Sequence, residues 1–349
     1  MRWFGVSSRY GTGAGASWRW WAVAVILVFG VGCRPTPVNV VLVSVDTLRA
    51  DHLNCYGYAR RKVSPSIDAL AEDGVLFESF VTSSPWTTPA HLSMMTSLYP
   101  SSHGVTAPFR DLEIALSGQG EYQRLGDETI TMAEQLKGIG FATAAFTAGG
   151  PLSPEIGFGR GFDIYRTTMY KLDNDNMAEM LDWLAHARKP FFLFWHHYEV
   201  HAPYLETTFA NEVLDSDVVA ALEQRLERHR SSAGPELNND LDALKAALEE
   251  LDAFRPEVCE ALYDGGIVSA DARLGQLVAH LKSLGIYDQT LIVLLSDHGE
   301  EFADHYPDLF FNRHGHSLFE EMVHVPLIIK LPGQRCAGAR VEEVASTVD

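Results

Sequence analysis

Cysteine is scarce in this 349-residue chain: four residues, at positions 33, 55, 259 and 336, with no CxxC and no paired spacing. That excludes a disulfide framework and a cysteine-based zinc site. Basic residues are also in short supply, 27 against 46 acidic, for a formal charge of −19. Arg2, Arg9 and Arg19 lie ahead of the first acidic residue, Asp46, so the chain beyond residue 32 is more acidic still. Such a body is a poor non-specific partner for nucleic acid or an anionic membrane face, and it favours cations. No internal repeat is present, and no apolar run reaches the roughly 20 residues a spanning helix needs.

The longest apolar run, Trp20–Gly32, has 13 residues and follows an arginine-bearing segment. Its length is that of a signal-peptide core. Gly32-Cys33 then resembles a lipoprotein cleavage site, with Arg-Pro-Thr-Pro at 34–37 as a linker. Residues 1–32 are read as a signal peptide or N-terminal membrane anchor. The expected location is therefore periplasmic or cell-envelope, with membrane contact through that anchor alone.

What is present in abundance is an alternation of β-rich runs with helix-period stretches, the pattern of an α/β fold with a mostly parallel central sheet flanked by helices. Strands are expected at Val38–Val45, Phe141–Thr147, Phe191–Trp195, Thr290–Ser296 and Val325–Lys330. Helices are expected at Ser66–Glu72, Thr129–Leu136, Asn176–His186 and Ser269–Leu284. Residues 205–258, rich in Glu, Asp, Ala and Leu, read as a helical insert, either a lid or a solvated excursion. Four of the strands run into Asp46, Asp297-His298, His196-His197 and Ala148-Gly149-Gly150. Ligands of open α/β sheets bind beyond the carboxyl ends of strands, so two carboxylates and several histidines at one edge make a metal-site hypothesis. In SPWTTPAH (84–91), Thr88 suits an N-cap and Pro89 the first helical position. Thr87 then stands just off a helix N-terminus, where an anion is favoured.

The series VSVDTLRADHLNCYGY, SPSID, PWTTPAHLSMMTSLYPSSHGV, HHYEVHAPY, LLSDHGEEF and HGHSLFEEMVHVPLIIKLPG resembles the sulfatase family of the alkaline phosphatase superfamily, over roughly residues 38–349. The resemblance implies a large α/β catalytic domain binding one divalent metal. It puts Asp46, Asp297 and His298 at the metal-ligand positions, Thr87 at the nucleophile position, and His201 and His314 at active-site histidine positions. His91, His197 and His316 are the expected substrate contacts, with His197 preferred to His196 as the one facing the site. The implied partner is a small-molecule, glycan or lipid-linked anionic ester. Zinc or manganese suits the ligand set best, with calcium or magnesium as alternatives. In that family the chain continues into a C-terminal subdomain, which this sequence is expected to lack.

Departures from the family pattern carry information of their own. Thr87 cannot become the formylglycine of true sulfatases. Thr47 stands in place of a second metal-binding Asp, His91 in place of an Arg, and His316 in place of a Lys. The Asp-His pair at 297–298 resembles phosphoester enzymes, including phosphoethanolamine and lipoteichoic-acid type transferases. A formylglycine hydrate expels sulfate by collapsing to an aldehyde. A threonine ester must instead be released by direct attack at the transferred centre, which phosphorus permits more readily. The favoured expectation is thus phosphate mono- or diester hydrolysis, against a sulfuric ester hydrolase, a phosphoryl-type transferase or a non-catalytic binding homologue. Arg49 with Asp51, and Tyr263 with Asp264 and Asp271, are expected to be structural, with contact to an anionic substrate as the alternative for Arg49. Trp86 and Tyr204 are expected to pack, with a pocket-lining role as the alternative.

Overall fold

The computed structural model describes residues 38–106, 122–168, 176–232, 237–308, 310–311 and 313–349. The expectations for the export segment and Cys33 fall outside the described residues. Among the described residues no helix is long and apolar enough to cross a membrane.

The strand Asn39–Val45 (β1, NVVLVSV) shows how the sequence dictates the architecture. β-Branched side chains favour the pleated conformation, and a strand buried on both faces reads as a continuous apolar run. Val41, Val43 and Val45 enter one core and Leu42 the other. Around β1 the chain builds an eight-stranded sheet from Val75–Phe77 (β2), Ala142–Ala148 (β4), Ile164–Thr168 (β5), Phe191–His197 (β6), Thr290–Leu295 (β7), Leu327–Lys330 (β8) and Ala339–Val341 (β9). Their order is β5-β4-β6-β1-β7-β8-β2-β9, and Phe80–Val81 (β3) pairs separately with Ala345–Ser346 (β10). Only β8 runs against its neighbours β7 and β2. The sheet is therefore mixed but mostly parallel, as the alternation of strand and helix patterns implies.

Helices cover both faces. Pro256–Ser283 buries Leu262, Tyr263, Ile267 and Leu274 against the β1 valines, while Thr87–Thr96 buries Leu92, Met94 and Met95 against Phe192 and Phe194. Each such side chain contributes about 1.5–3 kcal/mol on burial, offset largely by the entropy of ordering it. The helix expected at 129–136 lies at Met132–Gly138, with Thr131 and Glu134 forming a reciprocal capping box. Residues 205–258 hold helices at Ser216–Ser232 and Leu237–Glu250.

The helix expected from Ser269 begins thirteen residues earlier, at Pro256. The Gly265-Gly266 pair inside it reads as a break but serves close packing. A Cβ at Gly265 would lie 2.5 Å from the Glu206 carbonyl oxygen, and one at Gly266 2.6 Å from that of Glu199. The same helix delivers the residues expected to be structural. Asp264 meets His52, Tyr58 and Arg61, and Asp271 accepts the backbone N–H groups of Ser66 and Ile67.

Candidate functional site

The central strand β1 lies between β6 and β7, all three parallel, so their carboxyl ends deliver side chains to one point. Asp46 follows β1 directly, and Ser296, Asp297 and His298 follow β7; all are fully buried. Two hydroxyls fix the loop after β1. Ser296 Oγ accepts from Leu48 N and donates to His298 O. Tyr263 Oη accepts from Arg49 N at 2.9 Å and donates to Thr47 O at 2.8 Å. Asp297 Oδ1 accepts from His298 N at 2.9 Å and Thr47 N at 3.3 Å. Asp46 Oδ2 accepts from His196 Nε2 at 3.1 Å.

The other oxygen of each aspartate, Asp46 Oδ1 and Asp297 Oδ2, is buried without a hydrogen-bond partner. His298 Nδ1 is 3.0 Å from Gly299 O, and a carbonyl only accepts, so Nδ1 carries the proton. In neutral His298 the lone pair of Nε2 then faces Asp297 Oδ2 at 3.3 Å and Asp46 Oδ1 at 3.9 Å. A lone pair set against two carboxylate oxygens in a dry site needs positive charge among them. One ligand atom from each residue lies within 4.8 Å of the others. These three residues fit a divalent ion. Burial pushes the Asp46 carboxyl above its ordinary range, with His298 and His314 acting against that rise.

Thr87 approaches from the helix that packs on Phe192 and Phe194. The helix begins at Thr87 itself, with Trp86 as its N-cap, so Thr88 is its second residue and not the cap the Thr-Pro pair implied. The Thr88 hydroxyl instead donates to Pro151 O. Thr87 Oγ1 lies 3.2 Å from His298 Nε2, at the edge of the candidate ion position. One turn further on, His91 donates from Nδ1 to Thr87 O at 2.9 Å and accepts at Nε2 from Ser44 Oγ at 2.9 Å.

The Sulfatase family model matches residues 38–349. The chain belongs to the sulfatase family. Three of its relatives are each 25% identical to it: the multifunctional alkaline phosphatase superfamily protein PehA of Trinickia caryophylli, the steryl-sulfatase of Rattus norvegicus and an ulvan-active sulfatase of Formosa agariphila. The alignments cover 88%, 93% and 90% of this chain, and 71%, 67% and 60% of the respective relatives. Among solved structures, the phosphonate monoester hydrolase of Agrobacterium radiobacter shares the fold with a TM-score of 0.61 at 23% identity, over 89% of this chain and 72% of that one. A protein solved in complex with its substrate D-glucosamine-2-N,6-O-disulfate aligns with a TM-score of 0.66 at 16% identity, over 90% and 75%. The sulfatase family is metal-dependent, in keeping with the Asp46, Asp297 and His298 group.

Within this sulfatase-family chain the histidines sort differently from the sequence expectation. Strand alternation places Phe192, Phe194 and His196 on one face of β6 and Phe191, Leu193, Trp195 and His197 on the other. Of the two, it is His196 that meets Asp46. His197 turns away, and its Nδ1 lies 2.5 Å from Glu199 Oε2. Burial works against that carboxylate, but His197 and Arg273 hold Glu199 down to about 2. His91 is fully buried beneath Thr87. Desolvation drives its pKa down to about 3 despite Asp297 at 3.5 Å, leaving it a neutral strut. His316 is exposed, two residues beyond His314. Tyr204 is 1% exposed and packs on Tyr263, Phe302 and Phe311, so it belongs to the core.

His314 and His201 do come together, with ring centroids 5.2 Å apart, and the His314 ring lies tilted against that of His298, 4.7 Å away. Trp86 sets an edge against His314 at 5.5 Å. That contact depends on Gly315, whose φ of +79° disfavours any side chain and whose added Cβ would fall 2.0 Å from the Trp86 ring. Two neighbours escaped sequence reasoning. Glu300, fully buried, accepts from His314 Nδ1 at 3.3 Å. Tyr198 has rings of His196 and His201 at 5.1 and 4.7 Å, with Thr87 and Asp46 acting on its hydroxyl. The Glu-Glu after Asp-His-Gly carries no period to mark Glu300. For Tyr198 the only signal was its place directly after the two histidines.

Proposed function

We propose that this chain hydrolyses anionic esters with Thr87 as nucleophile, and that phosphate mono- or diesters are its better substrates. The observation that carries this reading is Thr87 Oγ1 in the first turn of a helix, 3.2 Å from His298 Nε2 and beside two unpaired aspartate oxygens. Asp46, Asp297 and His298 would hold one divalent ion, zinc or manganese by the chemistry of two carboxylates and one imidazole. Bound there, such an ion supplies Lewis-acid polarisation of the ester and lowers the pKa of the Thr87 hydroxyl.

Thr87 Oγ1, having released its proton to solvent, forms a bond to phosphorus as the bond from phosphorus to the leaving oxygen breaks. The helix N-terminus meets the negative charge gathering on the phosphoryl oxygens. His314 gives its proton to the departing oxygen, and His201 stands beside it on that side. Water then attacks the phosphothreonine, the Oγ1–phosphorus bond breaks, and neutral His314 takes the proton that water sheds. His91 and Ser44 hold the backbone of Thr87 in line. The sequence of the first 33 residues supports a periplasmic or envelope setting, and glycan or lipid-linked esters are the substrates that setting offers.

Comparing kcat/KM for nitrophenyl phosphate, bis(nitrophenyl) phosphate, a nitrophenyl phosphonate and nitrophenyl sulfate tests the preference. One of the phosphorus substrates should be best. If sulfate is clearly best, the preference for phosphorus is wrong and a sulfuric ester hydrolase takes its place.

The pH profile should reveal Glu300. Burial opposes charge on His314, but Glu300 first, then Asp46 and Asp297, raise its pKa above the ordinary histidine value. A raised pKa keeps the acid form present below it, and activity falls as pH rises through it. Glu300→Gln removes the largest raising charge, so the basic limb of kcat/KM should move to lower pH. A limb that stays in place would remove His314 from the role of acid.

A further inference from the structure

The loop after β7 carries a second group of carboxylates, separate from Asp46, Asp297 and His298. Glu301 and Asp304 come from this loop and Glu321 from the short helix Glu320–Val323. One carboxylate oxygen of each lies within 4.8 Å of the others. Clustering alone would mean little, since acidic groups gather on many surfaces. Here, however, Glu301 is fully buried and Glu321 is 9% exposed. Glu301 Oε1 accepts from His305 N at 3.0 Å, while its Oε2 is buried with no hydrogen-bond partner.

The charges around the group do not cancel. Among the described residues Arg49 is the one guanidinium bonded to this group, and its hydrogen bonds go to Asp51, Asp304 and the Glu300 carbonyl. Against its single positive charge stand Asp51, Asp304, Glu301 and Glu321. His305 Nε2 lies 3.0 Å from Glu321 Oε1 and can answer one more of these at most. An uncompensated buried carboxylate costs several kcal/mol. Burial, with Asp304 and Glu301 adding to it, pushes the Glu321 carboxyl above its ordinary range. A proton on Glu321 would still leave Glu301 Oε2 unanswered.

We propose that Glu301, Asp304 and Glu321 bind a second divalent cation, of the hard, oxygen-seeking class to which calcium belongs. All three ligands are carboxylates, and calcium accepts irregular sets of six to eight oxygens. The Asp304 side chain, one third exposed, leaves an open side for water ligands. The cation ties the loop bearing Asp297, His298 and Glu300 to the helix at 320–323. Backbone bonds from Gly299 N to Met322 O at 2.9 Å and from Glu301 N to Arg313 O at 3.0 Å already join these segments. Its role is to position the loop and not to touch substrate.

Equilibrium dialysis of the purified protein against calcium chloride, with ions counted per chain, tests this. Glu301→Gln and Asp304→Asn should each hold one calcium fewer than the parent chain, or bind it at least about tenfold more weakly. Asp46→Asn should keep that ion, because it alters only the first site. Calcium should also raise the thermal midpoint of the parent and of Asp46→Asn but not of Asp304→Asn. Should Glu301→Gln fail to fold, Asp304→Asn decides alone, since its partly exposed side chain changes only in charge. Equal calcium stoichiometry, affinity and thermal response in the parent and Asp304→Asn would overturn the proposal, leaving the carboxylates to share protons with His305.

Discussion

Thr87→Ala should lower kcat/KM by about 10,000-fold or more while the protein keeps its bound metal. Loss of a covalent nucleophile commonly costs this much, because the other groups of the site act only in concert with it. The geometry makes the variant a clean one. Thr87 is held by its backbone, through His91 Nδ1 to the Thr87 carbonyl and the helix that starts there, while its hydroxyl bonds to His298 Nε2. Removing the hydroxyl therefore leaves the helix N-terminus, the two aspartates and His298 where they stand. Thr87→Ser should recover much of the activity, since it keeps the oxygen and loses only a methyl group. Metal content and kcat/KM, measured on the same preparations, check the result. Turnover in Thr87→Ala equal to that of the parent would end the nucleophile assignment.

Asp297→Asn is expected to act in the opposite way, removing metal and activity together while leaving the fold intact. An amide oxygen can take over the hydrogen bonds that Asp297 Oδ1 accepts from His298 N and Thr47 N. The amide nitrogen would then occupy the position of Oδ2 and donate toward the His298 Nε2 lone pair, 3.3 Å away. One buried negative charge disappears and a repulsive contact becomes a hydrogen bond. The metal-free variant should thus be at least as stable as the metal-free parent, yet bind the ion far more weakly. Elemental analysis after dialysis, with thermal unfolding of the metal-free forms, tests both halves. A variant with the metal content and activity of the parent would remove Asp297 from the ligand set.

Much of this arrangement is legible in the residues. Val-rich β1 ending in Asp46 and the run ending in Asp297-His298 need only strand period and the rule that α/β sites lie beyond carboxyl ends. The pairing of Arg49 with Asp51 also follows from their spacing, and the structure adds Asp304 as a second partner at 2.8 Å. What was not legible depended on the third dimension. Alternation says that His196 and His197 point apart, but not which face meets Asp46. That answer comes from the register of β6 on β1, where Ser44 lies opposite His196. The family resemblance points to His91 as a substrate contact, because it stands where that family has an Arg. Ser44 on the neighbouring strand captures its far nitrogen and buries it. Strands of two or three residues, such as β2, β3 and β10, offer too few positions for a period to show. The glycine pair in the long helix conceals its middle because close packing and helix breaking call for the same residue.

The central claim, that Thr87 forms a bond to the transferred group before water does, is tested most directly by stereochemistry at phosphorus. A phosphorothioate diester of one handedness, hydrolysed in water enriched in heavy oxygen, reports the number of displacements whichever step is slow. Two in-line attacks, first by Thr87 and then by water, predict net retention of configuration. Net inversion would mean a single direct attack by water and would contradict the account.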